Sequence, residues 1–366
     1  MALAAERELE ALVAVSSPSG DLEGAEECVA LATAFLPTEA EVERVECSTP
    51  RHARDLIGRL RGTGSKRVVL LGHLDTVVPH DGHRPLARDG DRLTGSGAVD
   101  MKGGVALALA LMRELADRPE LYAEAAVLLV NDEEWRTSGF AHAPRFADFD
   151  ACLCFEAGER TATGDEAVIV KRKAAATLRV HAHGRSAHSG SAPHKGRSAL
   201  LALAAAAQIV ASRHDPDGPD RLTAVPTILN SGDAFNVVPA QGELLCDLRA
   251  DRIEAFEPVL AAVPDEHDDV RLETTMVRAW PGMDSRDATR EVIAAASEVL
   301  GRPIAASERG GASDASHIAA GGISCTIDGL GPRGGGAHAP HEWVSAESIR
   351  TRAEVALAVA SALLAR

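Results

Sequence analysis

Five short stretches of this chain carry residue types that can do chemistry. In His73-Leu74-Asp75-Thr76-Val77, the spacing lets Asp75 accept the second ring N–H of an ion-ligating His73. A hydrogen-bonded loop pair is the alternative. In Gly95-Ser96-Gly97-Ala98-Val99-Asp100-Met101-Lys102-Gly103-Gly104, glycines permit close backbone approach, and Asp100 either faces a ligand or caps the helix that follows. Asn131-Asp132-Glu133-Glu134 sets three acids in a row. Consecutive carboxylates repel unless something positive holds them, and a divalent cation is the usual remedy. Adjacent side chains point different ways, so one glutamate can ligate while its neighbour acts as a base. Glu156 leaves another apolar run, and His338 sits among the small residues of Gly334-Gly335-Gly336-Ala337-His338-Ala339-Pro340-His341-Glu342.

The elements around these stretches explain how they would meet. Arg67 to Gly72, Ala125 to Asn131 and Ala151 to Phe155 are short, apolar runs that read as buried strands, with residues 102 to 116 as an intervening helix. Three of the five stretches therefore begin at the carboxyl end of a strand, where open α/β sheets place their ligands. Cys152 and Cys154 flank Leu153 and share one strand face, so packing explains them better than metal binding. Two amphipathic helices open the chain on either side of Ser16-Ser17-Pro18-Ser19-Gly20. This alternation predicts an α/β domain with a mostly parallel central sheet.

The pattern changes after about residue 165. Val168 to His183 alternates like a half-exposed strand, Arg197 to Ser212 is alanine-rich and helical, and Ala224 to Ile228 and Gly242 to Arg249 are strand-like. A smaller α+β domain inserted at 166–275 fits this order. Helices at 287–300 and 346–364, around the glycine-rich segment 310–336, return the chain to the first domain, which comprises 1–165 and 276–366. Two histidines and several carboxylates then converge on one sheet edge. That is the composition of a two-metal hydrolase, because Zn²⁺ takes imidazole with carboxylate and a shared carboxylate holds two ions about 3.5–4 Å apart.

Composition narrows the function classes. A chain of 366 residues with 45% hydrophobic and 25% charged residues is an ordinary globular protein large enough for two or three domains. Net charge −16, from 54 acidic against 38 basic residues, argues against a nucleic-acid partner. No window approaches the roughly 18 apolar residues of a membrane span. Six cysteines without a Cys-x-x-Cys pair suggest a reducing compartment, and the acidic, helix-patterned N-terminus is unlike a secretory signal, so a cytoplasmic protein is expected.

The strings His73-Leu-Asp-Thr-Val, Gly97-Ala-Val-Asp100-Met-Lys-Gly-Gly, Asp132-Glu-Glu, Glu156 and Gly336-Ala-His338-Ala-Pro resemble the dinuclear zinc metallopeptidase and deacylase family. Its members include aminoacylases, glutamate carboxypeptidase, acetylornithine deacetylase and succinyl-diaminopimelate desuccinylase. The resemblance covers almost the whole chain. It implies a catalytic domain interrupted by a lid domain that often dimerises, hence a homodimer, and two Zn²⁺ per chain with Co²⁺ or Mn²⁺ also acceptable. By the same resemblance, Asp100 bridges the ions, His73 and Glu156 complete one half of the site, and Glu134 and His338 complete the other. Glu133 becomes the general base and Asp75 the partner of His73.

In the inserted domain, Gly184-Arg-Ser-Ala-His188-Ser-Gly190 matches the family's lid motif, whose histidine reaches a partner subunit's site and stabilises the oxyanion. Asn236 and Arg249 match positions that hold the substrate carboxylate in the family's carboxypeptidase branch, and Gly310-Gly311-Ala312-Ser313-Asp314 resembles a loop lining the pocket through Gly311 and Ser313. Two segments depart from the family's pattern. Trp135-Arg-Thr-Ser-Gly139 stands where many relatives carry a small glycine-serine segment, and Ala157-Gly-Glu-Arg160 lacks an expected proline.

The expected activity is hydrolysis of an amide beside a free carboxylate, releasing the C-terminal residue of a small peptide. Deacylation of an N-acyl amino acid uses the same metal chemistry and is the alternative. A non-catalytic binding protein of the same fold is a remoter one, and a serine hydrolase is disfavoured because no Gly-x-Ser-x-Gly elbow occurs.

Overall fold

A computed structural model describes residues 1–137 and 139–365. The chain forms two compact units: Met1–Lys171 with Met283–Arg309 and Ser313–Arg366, and Arg172–Gly282 with Gly310–Ala312.

The first unit is built on a six-stranded sheet in the order Glu41–Val45, Asp55–Arg61, Glu124–Val130, Arg67–His73, Ala151–Cys154, Thr326–Ile327. The last four strands pair in parallel, and the first two add an antiparallel edge. Alternate side chains divide between two cores, as the period of a strand requires. Val68, Leu70, Ala125, Val127, Leu129, Ala151 and Leu153 join the core built with the helices Ala2–Ala14, Gly103–Ala116 and Ala346–Leu364. Val69, Leu71, Ala126, Leu128, Val130, Cys152 and Cys154 face the opposite core with Phe146, Phe149 and Ile318. Both cysteines of this strand thus share one apolar face. Burial on both faces explains why these strands read as unbroken apolar runs.

The register sets the level of the site. His73 lies opposite Val130, and Leu71 opposite Cys154. The residues that follow Val130 and Cys154 therefore leave the sheet at the same edge as His73. The helix Gly103–Ala116 comes so close to this edge that a Cβ on Gly104 would sit 1.8 Å from the carbonyl oxygen of Phe155, which only glycine avoids.

Two local expectations are corrected. The helix after Asp100 begins at Gly103, with Lys102 in the N-cap position and no side-chain cap, while Asp100 sits in an irregular turn at φ −126°, ψ 89°. Asp100 is therefore no helix cap. The run expected as one alternating strand from Val168 to His183 is two strands. Glu166–Arg172 is buried throughout, because Val168 and Val170 join one core of the first unit and Ile169 the other; it pairs between Met283–Asp284 and Ile304–Arg309 in a separate small sheet. Alternation begins only at Ala174.

The second unit is a five-stranded antiparallel sheet in the order Thr223–Ser231, Gln241–Ala250, Ala174–His183, Val270–Trp280, Glu266–His267. Ala176, Leu178, Val180, Leu244, Cys246 and Leu248 form its core with Leu203 and Val210 of the helix Ala199–Ala211 and Val259 of the helix Glu257–Ala262. Ser198 caps the longer helix by accepting from the Leu201 N–H. The six cysteines are free thiols. Among the described residues, no helix is long and apolar enough to cross a membrane.

Candidate active site

Strand ends and one hairpin loop bring seven of the expected residues together in the first unit. His73 ends its strand, fully buried, with Nδ1 3.0 Å from the carbonyl oxygen of Asp75 and 3.4 Å from its Oδ1. Nδ1–H therefore donates to Asp75 and leaves the Nε2 lone pair free for an ion. Nε2 lies 3.1 Å from Asp100 Oδ1 and 3.9 Å from Glu156 Oε1. The other oxygen of Asp100 faces His338, whose Nε2 is 3.2 Å from Asp100 Oδ2 and 3.1 Å from Glu134 Oε2. Two ligand groups result, His73 with Asp100 and Glu156, and Asp100 with Glu134 and His338. They share Asp100.

Asp75 also braces the acidic loop. Its carboxylate accepts the N–H groups of Glu133 and Glu134, each at 3.2 Å. Below them, Asp132 takes the Thr49 N–H at 2.9 Å and hydroxyl at 2.6 Å, and its second oxygen takes Arg136 Nη2 at 2.7 Å. Arg136, wholly buried, also pairs with Asp314. The loop carrying Glu133 and Glu134 is thus held on two sides. Cys47, Asp55 and Asp132 lie close enough to suggest a third ligand group. Asp132 is already engaged, and Asp55 is bonded to the Asn131 N–H at 2.9 Å and to His142 Nε2 at 2.7 Å. We read this third group as a structural network.

Electrostatics favour positive charge at the centre. Burial alone would lower the pKa of His73, but hydrogen bonds to Asp100 and Asp75 and the charge of Glu133 drive it well above the ordinary imidazole range. Asp100 and Glu134 raise His338 to about 10. Burial would raise Asp100, yet His338 and His73 hold it below the usual carboxylate range. Glu133 is pushed well above that range, first by burial and then by Asp314, Glu156 and Glu134, against the opposing charge of His73.

A divalent cation fits this donor set. Ligand atoms on a tetrahedral zinc ion at about 2.0–2.1 Å lie about 3.3 Å apart, close to the 3.1 and 3.2 Å separations between His73 or His338 and Asp100. Glu134 Oε1 is buried without a hydrogen-bond partner. A bound cation would satisfy it.

The remaining expected residues are placed differently. In the second unit, Ala187–His188 pairs with Val237–Val238, and the Ser189 N–H donates to the Asn236 carbonyl oxygen at 3.0 Å, so His188 and Asn236 are exposed neighbours. His188 Nδ1 accepts the N–H groups of Gly190 and Ser191 at 3.1 and 3.2 Å. In the neutral ring the proton then sits on Nε2. Arg249 is turned onto Asp247, with Nη2 3.0 Å from Oδ1. The Gly311 carbonyl accepts from Arg172 at 2.8 Å. Ser313 is buried in the first unit and donates to Asp328 Oδ2 at 2.6 Å. Trp135 is exposed, and Ser138 of the departing segment lies outside the described residues.

Residues 69–362 match the model of Peptidase family M20/M25/M40. The chain belongs to this family. As an M20-family member it is a hydrolase, and its ligand groups agree with the metal dependence general to the family. It is 28% identical over 370 residues to carboxypeptidase G2 of Pseudomonas sp. (strain RS-16), covering 94% of this chain and 85% of that protein. It is 32% identical over 323 residues to succinyl-diaminopimelate desuccinylase of Xanthomonas campestris pv. campestris (strain 8004), covering 80% of this chain and 82% of that enzyme. Among solved structures, aminopeptidase PepT from Bacillus cereus ATCC 10987 matches with a TM-score of 0.79 at 22% identity, covering 99% of both chains. The M20 family metallo-carboxypeptidase Sso-CP2 from Sulfolobus solfataricus matches with a TM-score of 0.76 at 15% identity, also covering 99% of both. These two share the M20 fold with this chain.

Sequence reasoning left Arg136, Asp314 and Glu342 of this site without roles. Arg136 and Asp314 are 178 positions apart, and only folding pairs them. Glu342 carried a weak signal, as an acid in the same small-residue loop as His338.

Proposed function

We propose that this M20-family hydrolase cleaves an amide bond adjacent to a free carboxylate, releasing the C-terminal residue of a small peptide. One observation carries the metal part of this reading: the two oxygens of Asp100 are divided between His73 and His338, each backed by a further carboxylate. We assign His73, Asp100 and Glu156 to one ion and Asp100, Glu134 and His338 to a second, with zinc as the cation this imidazole–carboxylate set suits. Two ions held there would supply Lewis-acid polarisation of the scissile carbonyl and a lowered pKa for the attacking water.

The chain's own groups do the rest. Glu133 takes a proton from the attacking water on its carboxylate and passes it to the leaving amine nitrogen. Asp75 keeps His73 in the tautomer with a free Nε2 and fixes the Glu133 backbone. In the second unit, which we read as a lid and dimerisation domain, His188 presents a protonated Nε2 suited to an oxyanion. Asn236 and Arg249, with the segment around Gly311 and Ser313, are assigned to the substrate carboxylate and pocket. Arg249 must then leave Asp247 or share it.

The desuccinylase relative supports a second reading, N-acyl amino acid deacylation, equally well. A hydrolysis panel of the zinc-loaded protein on C-terminal glutamyl and aspartyl peptides and on N-acetyl, N-succinyl and N-carbamoyl amino acids separates the two. Turnover of peptides alone supports the first reading, and turnover of acyl amino acids alone replaces it. Absence of turnover across the panel with two ions bound would favour a binding protein. We place the enzyme in the cytoplasm as a homodimer, and light scattering of a fully active monomer would overturn the dimer and any role of His188 across it.

A further inference from the structure

The loop that carries His338 also carries a buried acid with another task. Gly334–Gly335 and Trp343–Ser345 form a hairpin around His338, and its second strand pairs with Arg92–Thr94, which leads directly into the Asp100 turn. Glu342 lies in this hairpin, 3% exposed. Its Oε2 accepts the Gly97 N–H at 2.8 Å, and its Oε1 accepts the N–H groups of Val99 and Asp100 at 2.8 and 2.9 Å. Its carbonyl oxygen takes a fourth donor, the Gly95 N–H, at 3.0 Å. One residue therefore satisfies four backbone donors across Gly95 to Asp100. The turn it grips admits little else. Gly97 has φ +73°, and a Cβ there would approach Thr76 Cγ2 to 2.7 Å.

We propose that Glu342 is a positioning residue that fixes Asp100 between the two ligand groups and locks the His338 loop to it. Both oxygens of Glu342 work as acceptors, so a carboxamide is a poor substitute: its NH₂ would meet either the Gly97 N–H or the Val99 and Asp100 pair. Because Asp100 belongs to both groups, a shift of its turn disturbs both at once. A shift of Glu134 or Glu156 disturbs one. This inference rests on the two-ion reading proposed above.

Glu342→Gln tests it, with Glu166→Gln as the comparison. Glu166 is another buried, hydrogen-bonded acid of the first unit, paired with Arg160 and Arg352 and outside both ligand groups. Zinc affinity by chelator competition, the visible spectrum of the cobalt-substituted protein, Tm, kcat and KM are measured for both variants and wild type. For E342Q, affinity at both sites falls together by about 10- to 100-fold and kcat by a similar factor. The cobalt bands shift, and KM stays within about threefold. For E166Q, Tm falls while zinc affinity, cobalt spectrum and kcat stay at wild-type values. Glu342→Asp, one methylene shorter with both acceptors kept, shows the E342Q pattern at smaller size and serves if E342Q does not fold. Wild-type zinc affinity and spectrum in both Glu342 variants, with only Tm lowered, would overturn the proposal while leaving the metal reading intact. Wild-type protein that binds no zinc would overturn the metal reading and this inference with it.

Discussion

Around Asp100, the buried His73 and a set of buried and half-buried acids are braced by one another, with His338 at the exposed rim: Asp75 holds His73 and the Glu133–Glu134 backbone, Arg136 holds Asp132, and Glu342 holds the Asp100 turn. At His188 and Asn236, in the second unit, backbone hydrogen bonds fix the ring and the loop while the side chains stay exposed. The physical reason for the difference is desolvation. A buried charge without partners is expensive, so the first region pairs nearly all of its buried polar groups internally and leaves Glu134 Oε1 for a cation. An exposed polar group carries no such penalty, and its partner can arrive with the substrate. The first region thus suits a bound cation, and the second presents exposed polar groups.

If this division is right, changes in the two regions separate by readout. The largest effect belongs to Asp100→Ala, which removes a ligand from both groups. Metal analysis should find both ions lost and activity abolished, and one tightly held ion would break the shared-carboxylate reading. Next, Glu133→Gln should keep both ions and lose about 10³-fold in kcat. Near-normal turnover there would remove the general base. In the second region, His188→Ala should cost about 10²-fold in kcat with zinc content and Tm unchanged. Zinc lost from that variant would erase the distinction drawn here. Asn236→Ala should act more gently, raising KM about tenfold for substrates with a free carboxylate and leaving kcat nearly unchanged.

The smallest effect concerns stability alone. Burial pushes the Glu166 carboxyl up, but Arg160, Arg352 and Arg333 outweigh it and hold it below the usual range. A depressed folded pKa gives stability that is present above the unfolded value of about 4.3 and is lost as pH falls through the folded one. Thermal melts of Glu166→Gln should therefore fall below wild type at pH 7, and the gap should close in acid. A gap independent of pH would mean that the carboxylate's charge contributes nothing.

Much of this was legible in one dimension. The strands Arg67–His73, Glu124–Val130 and Ala151–Cys154 announce themselves because burial on both faces leaves no polar interruption. Their carboxyl ends then expose His73, Glu133, Glu134 and Glu156 as candidates. Local pattern failed where the environment was set from afar. The strand Glu166–Arg172 ends just past the boundary at Lys171, and a separate strand of the second unit starts at Ala174, although the residues on both sides of Lys173 have strand character. Asp100 has the flanking sequence of a helix cap, yet the turn's N–H groups belong to Glu342, 242 positions away.

The sequence by itself therefore determined which residues can ligate, which can move a proton, and which strands carry them, because residue chemistry and hydrophobic period are local properties. The tertiary structure decided which carboxylate is shared and which acids merely brace. That choice depends on distances of about 3 Å between groups far apart in the chain, and only the packed sheet and hairpin set those distances.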